Sequence, residues 1–173
     1  MKAFSQFFIE AMWGDFDAAC GRIAKMIKLA RNINEIVMTA ETQRQCGDYT
    51  SSINNWEKAL KISPHYSSWI KMYYVYTLLQ NGNLEAAKQY SLKQTAKDHL
   101  YYGANEAFLA LLAYIAFKEG DEEQAKEYFE KQQTLKNSMT KSYILNYDFS
   151  SVRSRIFFND YIKVLQSLGM SDQ

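Results

Sequence analysis

The sequence predicts an all-α chain, a stack of helical hairpins closed by a C-terminal helix. Three observations lead there. One proline and seven glycines in 173 residues leave few turn formers, so helices joined by short connections are expected. Gly14, Gly47, Gly82 and Gly120 each open a similar amphipathic stretch, at intervals of 33, 35 and 38 residues. Downstream of each glycine, a small residue recurs at a fixed offset, and in three of the four a bulky one lies a helical turn beyond it.

The four stretches read "GDFDAACGRIAKMIKLA", "GDYTSSINNWEKALKIS", "GNLEAAKQYSLKQTAK" and "GDEEQAKEYFEKQQTL". Glycine between two helices accepts the positive φ that ends the first and lets the second turn back. Asp15, Asn83 and Asp121 then offer a side-chain oxygen to the first free amides of the next helix. Ala19, Ser52, Ala87 and Ala125 are small where two helices approach closely, and Ile23, Trp56 and Phe129 are the bulky groups one turn later. Ser91 breaks that pattern in the third unit. The helix before each glycine fits unevenly: Leu109, Leu112, Ala113 and Ala116 form a clear apolar set, while Ile36, Thr39, Ala40 and Gln43 are more polar. Pro64 ends the second unit, and "TAKDHLYYGANEA" is a longer link that explains the last interval; Tyr101, Tyr102 and Gly103 there form a turn or an exposed tyrosine lip, a plain linker being the favoured reading over a functional loop.

A period near 34 residues in a helical chain is that of tetratricopeptide repeats, and the chain resembles that family over roughly residues 3 to 136 on these glycine turns and packing slots. The resemblance implies a right-handed superhelical stack with about four hairpins in residues 1–136. Residues 137–173 are then a link and a capping helix, with Ile156, Phe157, Tyr161, Val164, Leu165 and Leu168 spaced along one face. Such a helix covers the apolar face that a stack of repeats leaves open at its end.

A narrower resemblance rests on Pro64, Trp69, Gly82, Ala87, Phe157, Leu168 and Gly169. These positions are similar to the C-terminal repeat regions of bacterial class III adenylate/guanylate cyclases and of winged-helix transcriptional regulators. It implies a docking or sensor module of a bacterial signalling protein, either the C-terminal part of a longer chain or a free-standing relative. No cyclase or DNA-binding domain stands in these residues, so no catalytic residue is carried over.

Composition removes several classes. Twenty basic against 19 acidic residues give a net charge of +1, without the basic excess or stripe of a nucleic-acid binder. No apolar run approaches the ~18–20 residues of a membrane helix, and "MKAFSQFFIEAMWGDF", interrupted by Glu10 and Asp15, reads as a first helix and not as a signal peptide. Cys20 and Cys46 fit no metal spacing and no CxxC pattern. Each is read as a buried free thiol, with a reducing, cytoplasmic compartment as the default. His65 and His99 lie at helix edges without metal-type partners, and Glu122 and Glu123 favour the positive end of the helix they open. No phosphate loop, GxSxG or HExxH occurs. A non-enzyme is expected, with no metal or cofactor.

The candidate binding surface is the concave face, lined in this repeat by the first helix of each hairpin. Counting back from the glycines gives Val37, Glu41 and Arg44, then Trp69, Met72, Tyr76 and Leu79, then Ala110, Tyr114, Phe117 and Lys118. Aromatics and methionine there suit a helical or apolar peptide. The lysine and asparagine clamp for a terminal carboxylate is missing. "WIKMYYVYTLL" is apolar almost all round, so its helix is buried on several sides or covered by a partner. The alternative is a self-associating module that pairs two copies through the same aromatic surface.

Overall fold

The computed structural model describes residues 20–21, 32–64, 68–96, 104–134 and 152–169. Among the described residues there are seven helices and no strand: α1 (Ile33–Gln45), α2 (Tyr49–Ile62), α3 (Ser68–Gln80), α4 (Leu84–Thr95), α5 (Ala104–Glu119), α6 (Glu122–Thr134) and α7 (Val152–Ser167). The all-α expectation holds. Most of the first predicted hairpin, His65, His99 and the Tyr101–Gly103 turn lie outside the described residues.

Three-residue connections link α1 to α2 and α3 to α4, and a two-residue connection links α5 to α6; in each the predicted glycine has positive φ: 79° at Gly47, 77° at Gly82 and 84° at Gly120. Side chains with a Cβ rarely adopt this conformation, so these glycines set where each helix stops. Asp48 and Asp121 then cap the following helices, accepting from the amides of Ser51 at 3.2 Å and Gln124 at 3.0 Å. Asn83 makes no such side-chain bond; beside it the Leu84 amide donates to the Gly82 carbonyl at 3.0 Å.

The chain forms two compact units, Met1–Asn81 with Phe149–Arg155 and Gly82–Asp148 with Ile156–Gln173. In the first, α2 packs on α1 and on α3. Of the two polar slots that weaken the sequence pattern of α1, Thr39 donates back to the Glu35 carbonyl within its own helix at 2.7 Å and Gln43 bonds across the hairpin. Ser52, fully buried, donates to the Ala40 carbonyl at 2.7 Å, and Asn55 donates to the side chain of Gln43 at 2.8 Å. Trp56, also fully buried, donates its indole N–H to Thr77 Oγ1 at 3.0 Å and stacks on Tyr73. Removing a side chain of that size from water supplies roughly 2–3 kcal/mol, and the bond satisfies its one polar atom.

In the second unit α5 packs on α4 and on α6. Leu112, Ala113 and Ala125 are fully buried, and Phe129 is nearly so. From Ile156 onward α7 belongs to this unit, and it buries Phe158, Tyr161, Val164 and Leu165. Gly169, at φ 113°, closes α7; a Cβ there would lie 3.7 Å from the Phe129 ring.

One expectation is overturned. Cys20 and Cys46 are joined in a disulfide, with Cα atoms 5.6 Å apart and 26 residues of separation along the chain. The free-thiol reading judged each cysteine by its own helix. Cys46 is the C-cap of α1 and lies within bridging distance of residue 20, a proximity that no linear spacing motif reports. The argument for a reducing compartment loses its premise.

Candidate functional site

The predicted surface residues fall into one set in each unit. In the first, α1 carries Val37, Glu41 and Arg44, and α3 carries Trp69, Met72, Tyr76 and Leu79. Val37, Met72, Tyr76, Leu79 and Arg44 are buried, and Glu41 is half-buried. The all-round apolar sequence of α3 has its counterpart in an almost continuous buried stretch from Ile70 to Leu79 that only Tyr73 interrupts.

Arg44 organises this set. Its guanidinium, with no exposure to solvent, grips Glu41 bidentately, Nε to Oε2 at 2.8 Å and Nη2 to Oε1 at 2.6 Å. Nη1 donates to Gln80 Oε1 at 2.7 Å, and Gln45 adds a bond to Glu41 at 2.8 Å. The charge lies 5.5 Å from the centre of the Tyr73 ring, within cation–π range. Burial acts to lower the guanidinium pKa, but the charge and hydrogen bonds of Glu41 outweigh it and hold the group above its ordinary value. Burial also pushes the Tyr76 hydroxyl well above its usual range, against the opposing pull of Arg44. The structure thus brings Glu41, Arg44 and Tyr76 together. Sequence reasoning missed Tyr73 and Gln80, which lie one turn to either side of Tyr76 and Thr77 on α3; a polar residue following an apolar helix was the available signal for Gln80.

In the second unit Ala110, Tyr114, Phe117 and Lys118 follow one another along α5. Ala110 and Tyr114 are buried, Phe117 is half-buried and Lys118 is exposed. Tyr114 lies against α7: its hydroxyl donates to Asp160 Oδ2 at 2.7 Å, and its ring meets Phe157 and Tyr161 edge-on. Lys118 reaches the same Asp160 oxygen at 2.7 Å and lies 5.6 Å from the centre of the Tyr114 ring. Burial, with the hydrogen bond to Asp160, raises the Tyr114 pKa far above normal. Burial of Asp160 acts to raise its own pKa, yet the bonds from Lys118 and Tyr114 prevail and lower it. Asp160 was missed. An acidic residue inside the aromatic run "FFNDYIKVL" was its signal, since a carboxylate there can accept from a tyrosine hydroxyl of a neighbouring helix.

Both tyrosine hydroxyls therefore stay protonated at neutral pH, each in a cluster with an ion pair.

Residues 107–138, which open on α5 and contain all of α6, match the family model described as tetratricopeptide repeat. That is the fourth predicted hairpin. The chain is also similar to a solved structure titled "Crystal structure of MamA", at 17% identity, with 92% of this chain and 90% of that chain covered and a TM-score of 0.56. At that identity the likeness is one of fold. No curated protein matches the sequence. The helical hairpins and the shared fold agree with the tetratricopeptide repeat matched at residues 107–138. Among the described residues no helix is long and apolar enough to cross a membrane.

Proposed function

We propose that the chain is a non-enzymatic scaffold that holds a protein or peptide partner, a helical or apolar segment, through the first helices of its hairpins. The observation that carries this reading is the tetratricopeptide repeat at residues 107–138, whose first helix places Tyr114, Phe117 and Lys118 along α5. In the first unit the corresponding surface is Glu41, with Val37, Arg44, Trp69, Met72, Tyr76 and Leu79 on the helices that form it. Glu41, Phe117 and Lys118, which keep solvent exposure, make first contact, and the buried Val37, Arg44, Met72, Tyr76, Leu79 and Tyr114 hold their geometry. Residues 1–136 form about four repeats and residues 137–173 the link and cap. The similarity around Pro64, Trp69 and Gly82 supports a docking or sensor role in a bacterial signalling protein, and the near-balanced charge of +1 supports no direct contact to nucleic acid. Self-association through the aromatic surface is the alternative.

A photo-reactive amino acid placed in turn at Glu41, Phe117 and Lys118 tests the proposal in cells. Crosslinking to a different polypeptide, competed by overexpressed unlabelled chain, is the expected result. Crosslinks only between copies of this chain would replace it with the self-association reading, and no crosslink at any of the three positions would overturn both.

A further inference from the structure

From the Cys20–Cys46 bond we infer a redox site: a fastener at the end of α1 that a small thiol/disulfide couple opens and closes. Three observations meet there. The two Cα atoms are 5.6 Å apart, an ordinary bridging distance, so the bond forms without moving the backbone. Cys20 and Cys46 are both only half-buried, so the bond lies near the surface, where an external thiolate acts. Cys46 is also the C-cap of α1: its amide donates to Thr42 at 3.0 Å, and the next two amides, of Gly47 and Asp48, donate to Arg44 at 3.0 Å and Gln43 at 2.9 Å. The bond therefore anchors the turn that ends α1, two residues from Arg44.

The exchange balances without any other reactant. A thiolate RS⁻ attacks one sulfur, the Cys–Cys bond breaks, and the second cysteine leaves as a thiolate that takes a proton. A second RS⁻ attacks the resulting mixed disulfide, releasing RSSR and the remaining cysteine thiol. Two RSH are oxidised to RSSR while the cystine is reduced to two thiols, and RSSR drives the reverse. Closing a loop with a sequence separation of 26 residues restricts the unfolded chain, so the oxidised protein is the more stable form. Reduction frees residue 20 from the α1–α2 turn and loosens the helix end that holds Arg44. This site is independent of what the chain binds.

The test is a glutathione titration of the full-length chain, read by alkylation and mass spectrometry, by thermal unfolding and by amide hydrogen exchange. Oxidised glutathione is expected to give an intramolecular bond with no alkylated cysteine. Excess reduced glutathione acting on the folded chain should yield two alkylated cysteines, with Tm lower by roughly 5–10 °C and faster exchange of the Cys46–Asp48 amides. The variant with both Cys20→Ser and Cys46→Ser should show the lower Tm and no response to glutathione; if it fails to fold, the wild-type titration alone decides. Two free thiols or only intermolecular bonds under oxidised glutathione would overturn the inference. So would a bond that resists excess reduced glutathione in the folded chain, or one that opens without changing Tm or amide exchange.

Discussion

The Arg44 cluster of the first unit and the Tyr114 cluster of the second use similar chemistry under opposite solvent conditions. Each joins a cation, a carboxylate and tyrosine rings. Arg44 has no solvent contact, and the structure surrounds it with Glu41, Gln80 and Tyr73. Lys118 and Asp160 keep 37% and 44% of their side chains exposed, so water shares the work of solvating them. A buried charge must find every partner within the protein, because the desolvation cost otherwise exceeds the attraction. An exposed pair contributes little by itself. In the second unit the rings of Tyr114, Phe157 and Tyr161 hold α7 on α5, and the charges mark the rim.

The harshest way to break the comparison is to ruin the packing of one unit. Ala125 is fully buried where α6 meets α5, and Ala125→Trp should abolish the cooperative thermal transition of that unit, at a cost of at least ~3 kcal/mol. Circular dichroism on heating reads it. Next comes the isolated buried charge. Glu41→Ala strands Arg44 and should cost about 3–5 kcal/mol in urea unfolding, whereas Arg44→Met leaves Glu41 with its own partial exposure and should cost clearly less. Equal costs would mean that Arg44 is not the group that needs the pair.

In the second unit the rings should outweigh the hydroxyl. Tyr114→Ala removes the contacts with Phe157 and Tyr161 and is expected to cost about 3 kcal/mol. Tyr114→Phe removes only the bond to Asp160 and should cost about 1 kcal/mol. The smallest effect is that of pH. The Asp160 pKa is lowered on folding, so its contribution to stability is present above the unfolded carboxylate value and is lost as pH falls through the folded one. The Tm difference between wild type and Asp160→Asn should therefore narrow on strong acidification; a constant difference would remove Asp160 from the account.

Much of the fold was legible because it depends on local rules. Gly47, Gly82 and Gly120 had to stand where φ is positive, and Ser52, Ala87 and Ala125, predicted to be small where two helices approach closely, are all fully buried. The Asn83 cap was misread because residue type reports capping capacity, not whether the bond is made. The site was legible only in part. Helical offsets brought Glu41, Arg44 and Tyr114 to attention, but their partners Gln80 and Asp160 lie 36 and 46 residues further along. No period within one helix encodes such distances. The disulfide escaped for the same reason: the proximity of cysteines 26 residues apart is a tertiary fact.

Light scattering of the purified chain over a wide concentration range would show whether this surface is kept for another protein. The account predicts a monomer of 20.1 kDa at every concentration. A stable species of twice that mass, present down to the lowest concentration, would contradict it and assign the aromatic surface to a second copy of the chain.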